Sequence, residues 1–416
     1  MGTEGICTCA IQRHARTFFF LAAALVLSQP LRAQHLMPQL PSPEEVGDNP
    51  ISFMRPHYLI HAQAGSSLTA PPSSAFSPLQ IRHAYGFDQI LNQGAGQVIG
   101  IVDAYDEPSI QSDLAVFNKQ FGLPPCTASN GCFREISEKS RPKTNANWAL
   151  EIALDVEWAH AIAPQATILL VETSSNSLSD LLAGVDLAVR NGASVVSMSW
   201  MAGEFSGEKK QDNHFAANGV TFLAASGDSG TGTAYPAASP DVIGVGGTTL
   251  TLNAQGNYAN EVAWSGSGGG LSVYEHEPLY QAQFGIPDDS RGTRGIPDVS
   301  YNADPSTGVA MYDSVGINGA SGWFQVGGTS AGTPQWAALF AIANSMRAAQ
   351  RKTNLSSTNA AIYSIAKAAS GADFRPVTQG TNGACGTICD ALVGYDYVTG
   401  LGTPQAAALI PALVAH

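Results

Sequence analysis

The sequence predicts an α/β fold in which helices cover both faces of a largely parallel sheet within one large domain. Between residues 98 and 252, short apolar runs typical of buried strands alternate with longer segments of helical composition. Of the 416 residues, 44% are hydrophobic and only 13% are charged, which is enough apolar material for a large core. Polar side chains follow several predicted strands, as expected where the carboxyl ends of parallel strands meet.

The predicted elements follow the chain in the order that such a fold needs. Strands are predicted at residues 98–102, 166–171, 194–200, 220–225 and 242–252. Helices are predicted at residues 109–121, 147–161, 178–191, through 214–218, and at the C-terminal end. Asp103, Trp200 and Asp228 each lie at the end of a predicted strand, so we expect a functional site at that edge of the sheet.

The N-terminal region has the pattern of a secretory signal, predicted for residues 1–33. Arg13, His14 and Arg16 precede an apolar run at residues 18–27, and Ala33 offers a small residue for cleavage. The run is too short to span a bilayer comfortably, although an uncleaved anchor is the alternative. We therefore expect a secreted or periplasmic protein that has no membrane contact once the signal is removed.

Residues 34–75 are rich in Pro, Ser and Gln and show little periodicity, so we interpret them as a short pro-segment or linker before a domain at residues 76–416. The net charge of −13 argues against nucleic acid as a partner. A surface of this kind, poor in Lys, suits work in acid. We expect a monomer.

Four cysteines lie outside the predicted signal and form two close pairs. In an exported protein, such pairs predict small-loop disulfides, whereas a metal site would need more converging ligands than either pair offers. The predicted bridges join Cys126 to Cys132 and Cys385 to Cys389.

A candidate nucleophile, Ser330, stands in the stretch Gly328-Thr329-Ser330-Ala331-Gly332. An apolar run precedes the stretch and an Ala-rich segment follows it, so the serine should lie where a strand gives way to a helix N-terminus. Glycines there let another backbone approach closely, and free N–H groups favour developing negative charge. The alternative is an ordinary turn with a helix cap.

Three arrangements could supply a base for Ser330. An α/β-hydrolase needs an acid and a histidine after the serine, but only His416 follows. In a subtilisin-type triad Asp103 could be the aspartate, yet no histidine stands in the glycine-rich setting that such a triad needs. The third arrangement uses Glu151 and Asp155, which are four apart on one helix face among apolar residues. A solvated acidic face that includes Glu157 is the alternative there.

Three motifs together resemble the sedolisins, or serine-carboxyl peptidases, over residues 76–416. They are Glu151-Ile-Ala-Leu-Asp155, Ser226-Gly-Asp228-Ser-Gly230 and Gly328-Thr-Ser330-Ala-Gly-Thr-Pro334. The resemblance implies a subtilisin-like fold and a secreted, acid-acting endopeptidase that cleaves polypeptides through an acyl-enzyme on the serine. Alternatives are an inactive peptide-binding homologue, a neutral subtilisin-type protease, and aminopeptidase or tripeptidyl-peptidase specificity.

The resemblance also implies a role for each matching residue. Ser330 resembles the nucleophile, Glu151 the general base and later acid, and Asp155 the residue that holds Glu151. Asp228 resembles the aspartate of the oxyanion hole. Around the acid pair, Asp103 and Trp200 resemble supporting groups, although Met201-Ala202 follow Trp200 where the family usually has glycines.

A calcium site near the C-terminus is a further expectation from the family. Asp396, Gly394 and Val377 match its pattern, whereas Pro376 and Leu392 depart from it. Asp373 or Asp390 could substitute for the missing ligand, or the Cys385–Cys389 bridge could stiffen the loop instead. The family usually also has a long, folded prodomain. Here the short stretch at residues 34–75 is either a reduced inhibitor or no inhibitor at all.

Overall fold

A twisted, mostly parallel sheet organises the structure, a computed structural model that describes residues 35–36, 53–61, 68–137, 141–287, 291–368 and 371–416. All of these belong to one compact unit, Gln34–His416. The predicted signal, residues 1–33, lies outside the described residues. None of the helices in the described ranges is long and apolar enough to cross a bilayer.

The α-helices of the described ranges are α1 Pro78–Tyr85, α2 Ile110–Phe121, α3 Ala146–Ile162, α4 Leu178–Arg190, α5 Leu279–Phe284, α6 Thr329–Ala349, α7 Thr358–Ala368 and α8 Ala406–Ala415. The strands up to the middle of the chain are β1 His35–Leu36, β2 Arg55–Pro56, β3 Leu59–His61, β4 Val98–Ala104, β5 Phe133–Ser137, β6 Thr167–Thr173, β7 Val195–Met198, β8 Trp200–Gly203, β9 Thr221–Ala225 and β10 Ala234–Tyr235. The later strands are β11 Val242–Leu252, β12 Tyr258–Ala263, β13 Gly270–His276, β14 Thr293–Ile296, β15 Val299–Asn302, β16 Val309–Ile317, β17 Ala320–Gly327, β18 Phe374–Arg375 and β19 Thr403–Pro404.

The central sheet has the strand order β12-β11-β9-β7-β4-β6-β5, and β15 also pairs with β11. Its pairings are parallel except that of β12 with β11. Helices α3 and α6 pack against each other and lie on one face of the sheet, while α4 packs on β4, β6 and β7 from the other face. The predicted α/β architecture, with helices on both faces, is confirmed.

Alternating side chains along the strands divide the core between these two faces. Ile99, Ile101 and Leu170 belong to the larger core, which contains α3 and α6. Their neighbours Val102 and Val171 belong to the smaller core beneath α4. A strand buried on both faces reads as a continuous apolar run, and that run is what made these strands visible in the sequence.

Two expectations about local structure need correction. The helix predicted through residues 214–218 does not form. Two short 3₁₀ turns, Glu208–Lys210 and Asp212–Phe215, occupy that region, since Asn218 and Gly219 favour a turn. The strand predicted at residues 194–200 ends with β7 at Met198, because the chain from Trp200 onward, β8, leaves the central sheet to pair with β10 and β2.

Residues 53–61, which we call the strap, cross the carboxyl-terminal edge of the central sheet. The first half pairs antiparallel with β8, where Arg55 is opposite Met201 and Pro56 is opposite Trp200. The second half pairs antiparallel with β17, where Leu59 is opposite Gly327. Part of the predicted pro-segment is therefore built into the sheets beside the candidate site.

Candidate active site

Helix α3 places the two predicted acids at the centre of the molecule. The side chain of Asn145 caps the helix by accepting hydrogen bonds from the N–H groups of Asn147 and Trp148. Glu151 and Asp155 follow one turn apart, and both have no solvent exposure, as has Glu157. The alternative of a solvated acidic face is therefore wrong.

Glu151, Asp155 and Asp103 form a group of three buried carboxyls. Ser199 Oγ donates a 2.8 Å hydrogen bond to Asp155 Oδ1. Within the described residues, both oxygens of Asp103 and of Glu151 lack a full hydrogen bond. Burial raises the pKa of Asp103 to about 8. Burial and the neighbouring carboxylates raise the pKa values of Glu151 and Asp155 well above their ordinary range. Such a group titrates as a unit and shares its protons.

Ser330 stands at the second position of α6, directly after β17, as the sequence predicted. Its hydroxyl donates a long, 3.4 Å hydrogen bond to the carbonyl oxygen of Ser199. The hydroxyl also interacts with the Glu151 carboxyl, which partly offsets the rise in the pKa of that acid. The serine thus faces both the acid group of α3 and the start of β8.

The turn between β17 and α6 requires glycine at position 328. Its φ of +102° and ψ of 160° belong to a region that essentially only glycine adopts. A Cβ atom there would lie 2.5 Å from Asp228 Oδ2 and 2.6 Å from the His57 carbonyl oxygen. Gly328 therefore lets a carboxyl group and a second backbone meet in front of the helix N-terminus.

Asp228 follows β9 and faces the same turn. Its Oδ1 accepts hydrogen bonds of 2.8 Å from both the N–H and the hydroxyl of Thr329. Its Oδ2 is buried and has no partner among the described residues. Burial raises the pKa of Asp228 to about 7, against the lowering effect of the Thr329 hydrogen bonds. Below that pH the carboxyl carries a proton that it can donate.

The strap lies in this site as an extended peptide. The Ser330 N–H donates a 3.1 Å hydrogen bond to the carbonyl oxygen of His57. Upstream, Met54 is held by two 2.8 Å bonds with Asn176, one from its N–H and one to its carbonyl oxygen. Downstream, the buried Tyr58 directs its hydroxyl to Asn147 Oδ1 at 3.4 Å. The His57–Tyr58 peptide bond is thus placed beside Ser330.

Trp200 and the two cysteine pairs are further residues singled out in the sequence. Trp200 is fully buried, and its indole N–H donates to the carbonyl oxygen of Val102, the residue before Asp103. It therefore supports the end of β4 rather than bonding to the acid pair. Cysteines 126 and 132 form a disulfide, as do cysteines 385 and 389.

The predicted calcium residues lie in the C-terminal loop, and their donor set does not fit an ion. Asp396 Oδ1 accepts the N–H groups of Val398 and Thr399, and Oδ2 accepts the Thr399 hydroxyl and the Leu392 N–H. These four hydrogen bonds use the four acceptor positions of the carboxylate. The loop instead supports the site through two hydrogen bonds. Ser267 Oγ donates to the carbonyl oxygen of Val398 in the loop, and the next residue, Gly268, donates its N–H to the carbonyl oxygen of Gly227, which precedes Asp228. Gly394 and Val377 offer no charge to replace Asp396.

Sequence reasoning missed several residues of the site. Ser199 and Thr329 adjoin residues that were singled out, but nothing in the pattern marks a hydroxyl as an acid's partner. His57 and Tyr58 gave no signal at all, because they lie between β2 and β3, two strands too short to have a periodicity of their own. Only pairing with β8 and β17 makes these segments strands.

Comparison with known proteins agrees with this geometry. The family model described as the subtilase family matches residues 144–410, a range that contains Glu151, Asp155, Asp228 and Ser330. The chain belongs to the subtilase family. Within the family it is a sedolisin-type member, as its relatives and the paired carboxyls show.

Among these relatives, kumamolisin of a Bacillus species is 33% identical over 70% of this chain and 56% of its own length. Sedolisin of a Pseudomonas species is 27% identical over 83% of this chain and 62% of its own length. The solved structure of that sedolisin, described as a serine-carboxyl proteinase complexed with two molecules of pseudo-iodotyrostatin, superposes with a TM-score of 0.70 at 26% identity. The match covers 84% of this chain and 100% of that one.

Some relatives carry a different activity in their names. Tripeptidyl-peptidase sed4 of Aspergillus fumigatus is 31% identical over 34% of this chain and 27% of its own length. This sedolisin-type chain spans roughly three fifths of the length of kumamolisin and sedolisin. The family and the fold are therefore established, whereas the reaction and the substrates are matters for proposal.

Proposed function

We propose that this chain is a secreted, acid-acting serine-carboxyl endopeptidase that cleaves polypeptides through an acyl-enzyme on Ser330. The observation that carries the proposal is the strap. An extended peptide lies in the cleft with its His57 carbonyl oxygen on the Ser330 N–H, 3.1 Å away, and close to the unpartnered oxygen of Asp228. This is how a substrate carbonyl must lie if its oxygen is to be stabilised when it becomes an oxyanion.

The first half of the reaction forms the acyl-enzyme. Ser330 Oγ attacks the carbonyl carbon while its proton passes to ionised Glu151. The carbonyl oxygen becomes an oxyanion, which accepts hydrogen bonds from the Ser330 N–H and from protonated Asp228. The intermediate collapses as Glu151 returns the proton to the leaving amine, so that the C–N bond breaks and an ester on Ser330 remains.

The second half releases the acid product. Glu151 takes a proton from a water molecule, whose oxygen attacks the ester carbon, and the same oxyanion contacts are used again. Ser330 then leaves with the proton that Glu151 returns. Asp155 and Asp103 support these steps by sharing protons with Glu151, so that one negative charge is held over the group.

We expect both the proton donor Asp228 and the base Glu151 to work in acid. Asp228 must be protonated to donate, and its pKa of about 7 allows that below neutrality. Glu151 must be ionised for part of the time, yet burial under the strap raises its pKa. Departure of the strap would admit water and lower the pKa of Glu151 toward its ordinary range, which lies below the pKa of Asp228. The working range would then lie between the two pKa values.

Endopeptidase action is favoured by the path of the strap. Residues 53–57 precede the bond beside Ser330, and Phe53 still pairs with Ser177 at the far end of the cleft. A tripeptidyl-peptidase must hold a free N-terminus three residues before the cleaved bond. Here the chain continues past that point through the bonds between Met54 and Asn176.

The same geometry makes the strap the first substrate. We propose that residues up to His57 are a pro-segment that fills the cleft until the His57–Tyr58 bond is cut. Export of the uncut form would keep the peptidase inactive until it meets acid, which agrees with the secretory pattern at residues 1–33.

The test measures cleavage of an unfolded protein across acid to neutral pH for the unsubstituted chain and for Ser330→Ala and Glu151→Gln. Activity should peak in acid and fall by at least about 1000-fold in both variants. N-terminal sequencing should find Tyr58 as the new first residue only in the active chain. Mass spectrometry of the products should find internal cuts rather than tripeptides.

The alternatives give different results. Activity that peaks near neutrality and survives Glu151→Gln would indicate a histidine base and a subtilisin-type mechanism. A folded chain without its strap that binds peptides but cuts none at any pH would be a peptide-binding homologue. Release of tripeptides alone would contradict the endopeptidase assignment.

A further inference from the structure

A second group of buried acids lies outside the candidate active site. Glu107 stands in the loop between β4 and α2, Asp113 on α2, and Asp313 on β16. One carboxylate oxygen from each lies within 4.8 Å of the others. Their exposed fractions are 0%, 2% and 0%. Three acids from separate parts of the chain therefore converge on one interior point.

A fourth acid, Glu157, faces this group from α3. Its Oε2 accepts the N–H of Tyr312, the residue before Asp313, at 3.0 Å. Its other oxygen has no hydrogen-bond partner among the described residues, and its side chain is fully buried. Burial raises the pKa of Glu157 well above its ordinary range, and the charges of Asp113, Asp313 and Glu107 raise it further. Glu157 therefore adds a buried carboxyl beside the group, held there by the Tyr312 N–H.

Hydrogen bonds account for only part of the group. Glu107 Oε1 accepts the Ser109 hydroxyl at 2.8 Å, and Asp113 Oδ2 accepts the Ser314 N–H at 2.8 Å. Asp313 accepts the N–H groups of Val315 and Gly316. Glu107 Oε2 has no partner in the described part of the chain. Each acid thus has a defined orientation, and two oxygens are left over.

Within the described ranges, no cationic side chain compensates these charges. None of the ion pairs found there involves any of the four acids. A neighbouring acidic group, made of Asp106, Glu135 and Glu172, differs in this respect because Arg141 pairs with Asp106. Burying several carboxylates together without a cation is costly unless protons or an ion neutralise them.

We propose that Glu107, Asp113, Asp313 and Glu157 form a calcium site. The donors are all carboxylate oxygens, which hard divalent cations prefer. Ligands at 2.3–2.6 Å from calcium can stand up to about 5 Å apart across the ion. That accommodates the 4.8 Å within which the oxygens of Glu107, Asp113 and Asp313 lie, and Glu157 is the adjacent fourth ligand of the proposal. Magnesium, with ligands at about 2.1 Å, would need a tighter group and would keep more water.

An ion in this place would join α2, α3 and β16, two of which adjoin the candidate active site. Glu157 lies on α3, the helix of Glu151 and Asp155, while Asp313 lies on β16, which pairs with β17 just before Ser330. Asp113 adds α2. Calcium there would stabilise the packing of α3 on β16 without touching the reacting groups, so its effect should be on stability first.

The experiment uses the full chain with Ser330→Ala, freed of metal by a chelator and titrated with calcium chloride at neutral pH. Isothermal titration calorimetry should find one ion per chain, and the thermal unfolding midpoint should rise with calcium. Glu107→Gln keeps the shape of the side chain and removes one charged ligand. It should weaken calcium binding by at least about tenfold. Glu157→Gln should do the same, and serves if the first variant fails to fold.

Two controls locate the ion. Glu135→Gln changes the neighbouring acidic group and should leave calcium affinity unchanged. Asp396→Asn tests the C-terminal loop. The proposal is overturned if the parent chain neither binds calcium nor gains thermal stability from it. It is equally overturned if both Gln variants in the site bind as tightly as the parent, or if Asp396→Asn alone abolishes binding.

Discussion

At the scale of single residues, Asp228 has the most distinctive chemistry. Oxyanion holes are commonly built from N–H donors, which need no particular pH. A carboxyl can donate only while protonated, and burial makes this possible by raising the pKa of Asp228 to about 7. One oxygen is fixed by Thr329, so the other, which is the donor in the proposed mechanism, has a defined direction.

Replacing Asp228 by Asn tests whether the pH dependence comes from protonation of this carboxyl, because the amide donates a hydrogen bond without needing to be protonated. Asp228→Asn can still accept from Thr329 and donates an N–H at every pH. Because wild-type Asp228 loses its donor as pH rises through about 7, the alkaline limb of kcat/KM should move to higher pH in the variant. Asp228→Ala, which has no donor, should lose about 100-fold to 1000-fold in kcat below about pH 7, where the wild-type carboxyl carries its proton. An alkaline limb that stays in place in the Asn variant would contradict this role.

The residues of the acid group also show how far sequence reasoning reaches. Glu151 and Asp155 could be paired from their spacing and apolar neighbours, because a helix has a fixed period. Asp103 could be placed nearby because it ends a parallel strand. The partners Ser199 and Thr329 could not, since hydroxyls occur everywhere in this Ser- and Thr-rich chain and only the folded backbone selects two of them.

At the scale of elements, the strap is the feature that sequence could not supply. Strands β4, β6 and β9 were predicted because burial on both faces makes them continuous apolar runs, and helices α2 to α4 because their composition and length are helical. The strap has no period, and its conformation comes from the edges of β8 and β17. The conformation of such a segment cannot be predicted from its own sequence, because it depends on hydrogen bonds to strands elsewhere in the chain.

The pH dependence of strap docking follows from His57. Burial and the charge of Arg55 lower the pKa of His57 to about 3, against 6.5 for the free side chain. The undocked strap therefore binds more protons between those values, so docking should weaken as pH falls from about 6.5 toward 3. Hydrogen exchange in a Ser330→Ala chain, corrected for intrinsic rates, should find falling protection at residues 53–61 over this range.

The matched variant is His57→Asn, which cannot take up the proton and should flatten this dependence. His83→Asn, a change at an exposed histidine outside the strap, should leave the dependence as it is. Protection that is independent of pH in the parent would show that acid does not release the strap. An equal dependence in His57→Asn would assign the release to another group.

At the scale of the whole molecule, buried acids give the fold a preference for low pH. Burial raises the pKa of Asp103 to about 8, of Glu208 to about 9, and of Glu275 to about 7. A group whose pKa is raised on folding contributes its stability fully below the unfolded value, near 4, and loses it as pH rises through the folded value. Acid, which unfolds many proteins, should favour this one.

Calorimetry can check this expectation. In metal-free buffer, the unfolding midpoint of a Ser330→Ala chain should be highest in acid and decline between about pH 5 and 9. Glu208→Gln should reduce the slope, because Gln stays neutral at every pH. A midpoint that rises over this interval would show that other groups, ionised in the native state, dominate the linkage.

The general architecture could be predicted from the sequence because buried segments are apolar, and acids within such segments are recognisable for the same reason. Apolar runs reveal buried strands, and acids inside such runs stand out. The conformations of loops could not be predicted from the sequence. The segment at residues 214–218 was therefore assigned a helix, although its turn-forming neighbours prevent one. The convergence of Glu107, Asp113 and Asp313 from distant positions was hidden likewise.

The pairing of β3 with β17 would hold the new chain end in place after a cut at His57–Tyr58. The freed amino group of Tyr58 would stay tethered beside Ser330, because Leu59 and Ile60 remain hydrogen-bonded to Gly327 and Val326. A tethered amine has a high effective concentration, so the acyl-enzyme could rejoin it as readily as water could open it. Acid protonates the amine and removes it as a nucleophile. At acid pH the cut between His57 and Tyr58 would therefore be irreversible, whereas nearer neutrality the bond could form again.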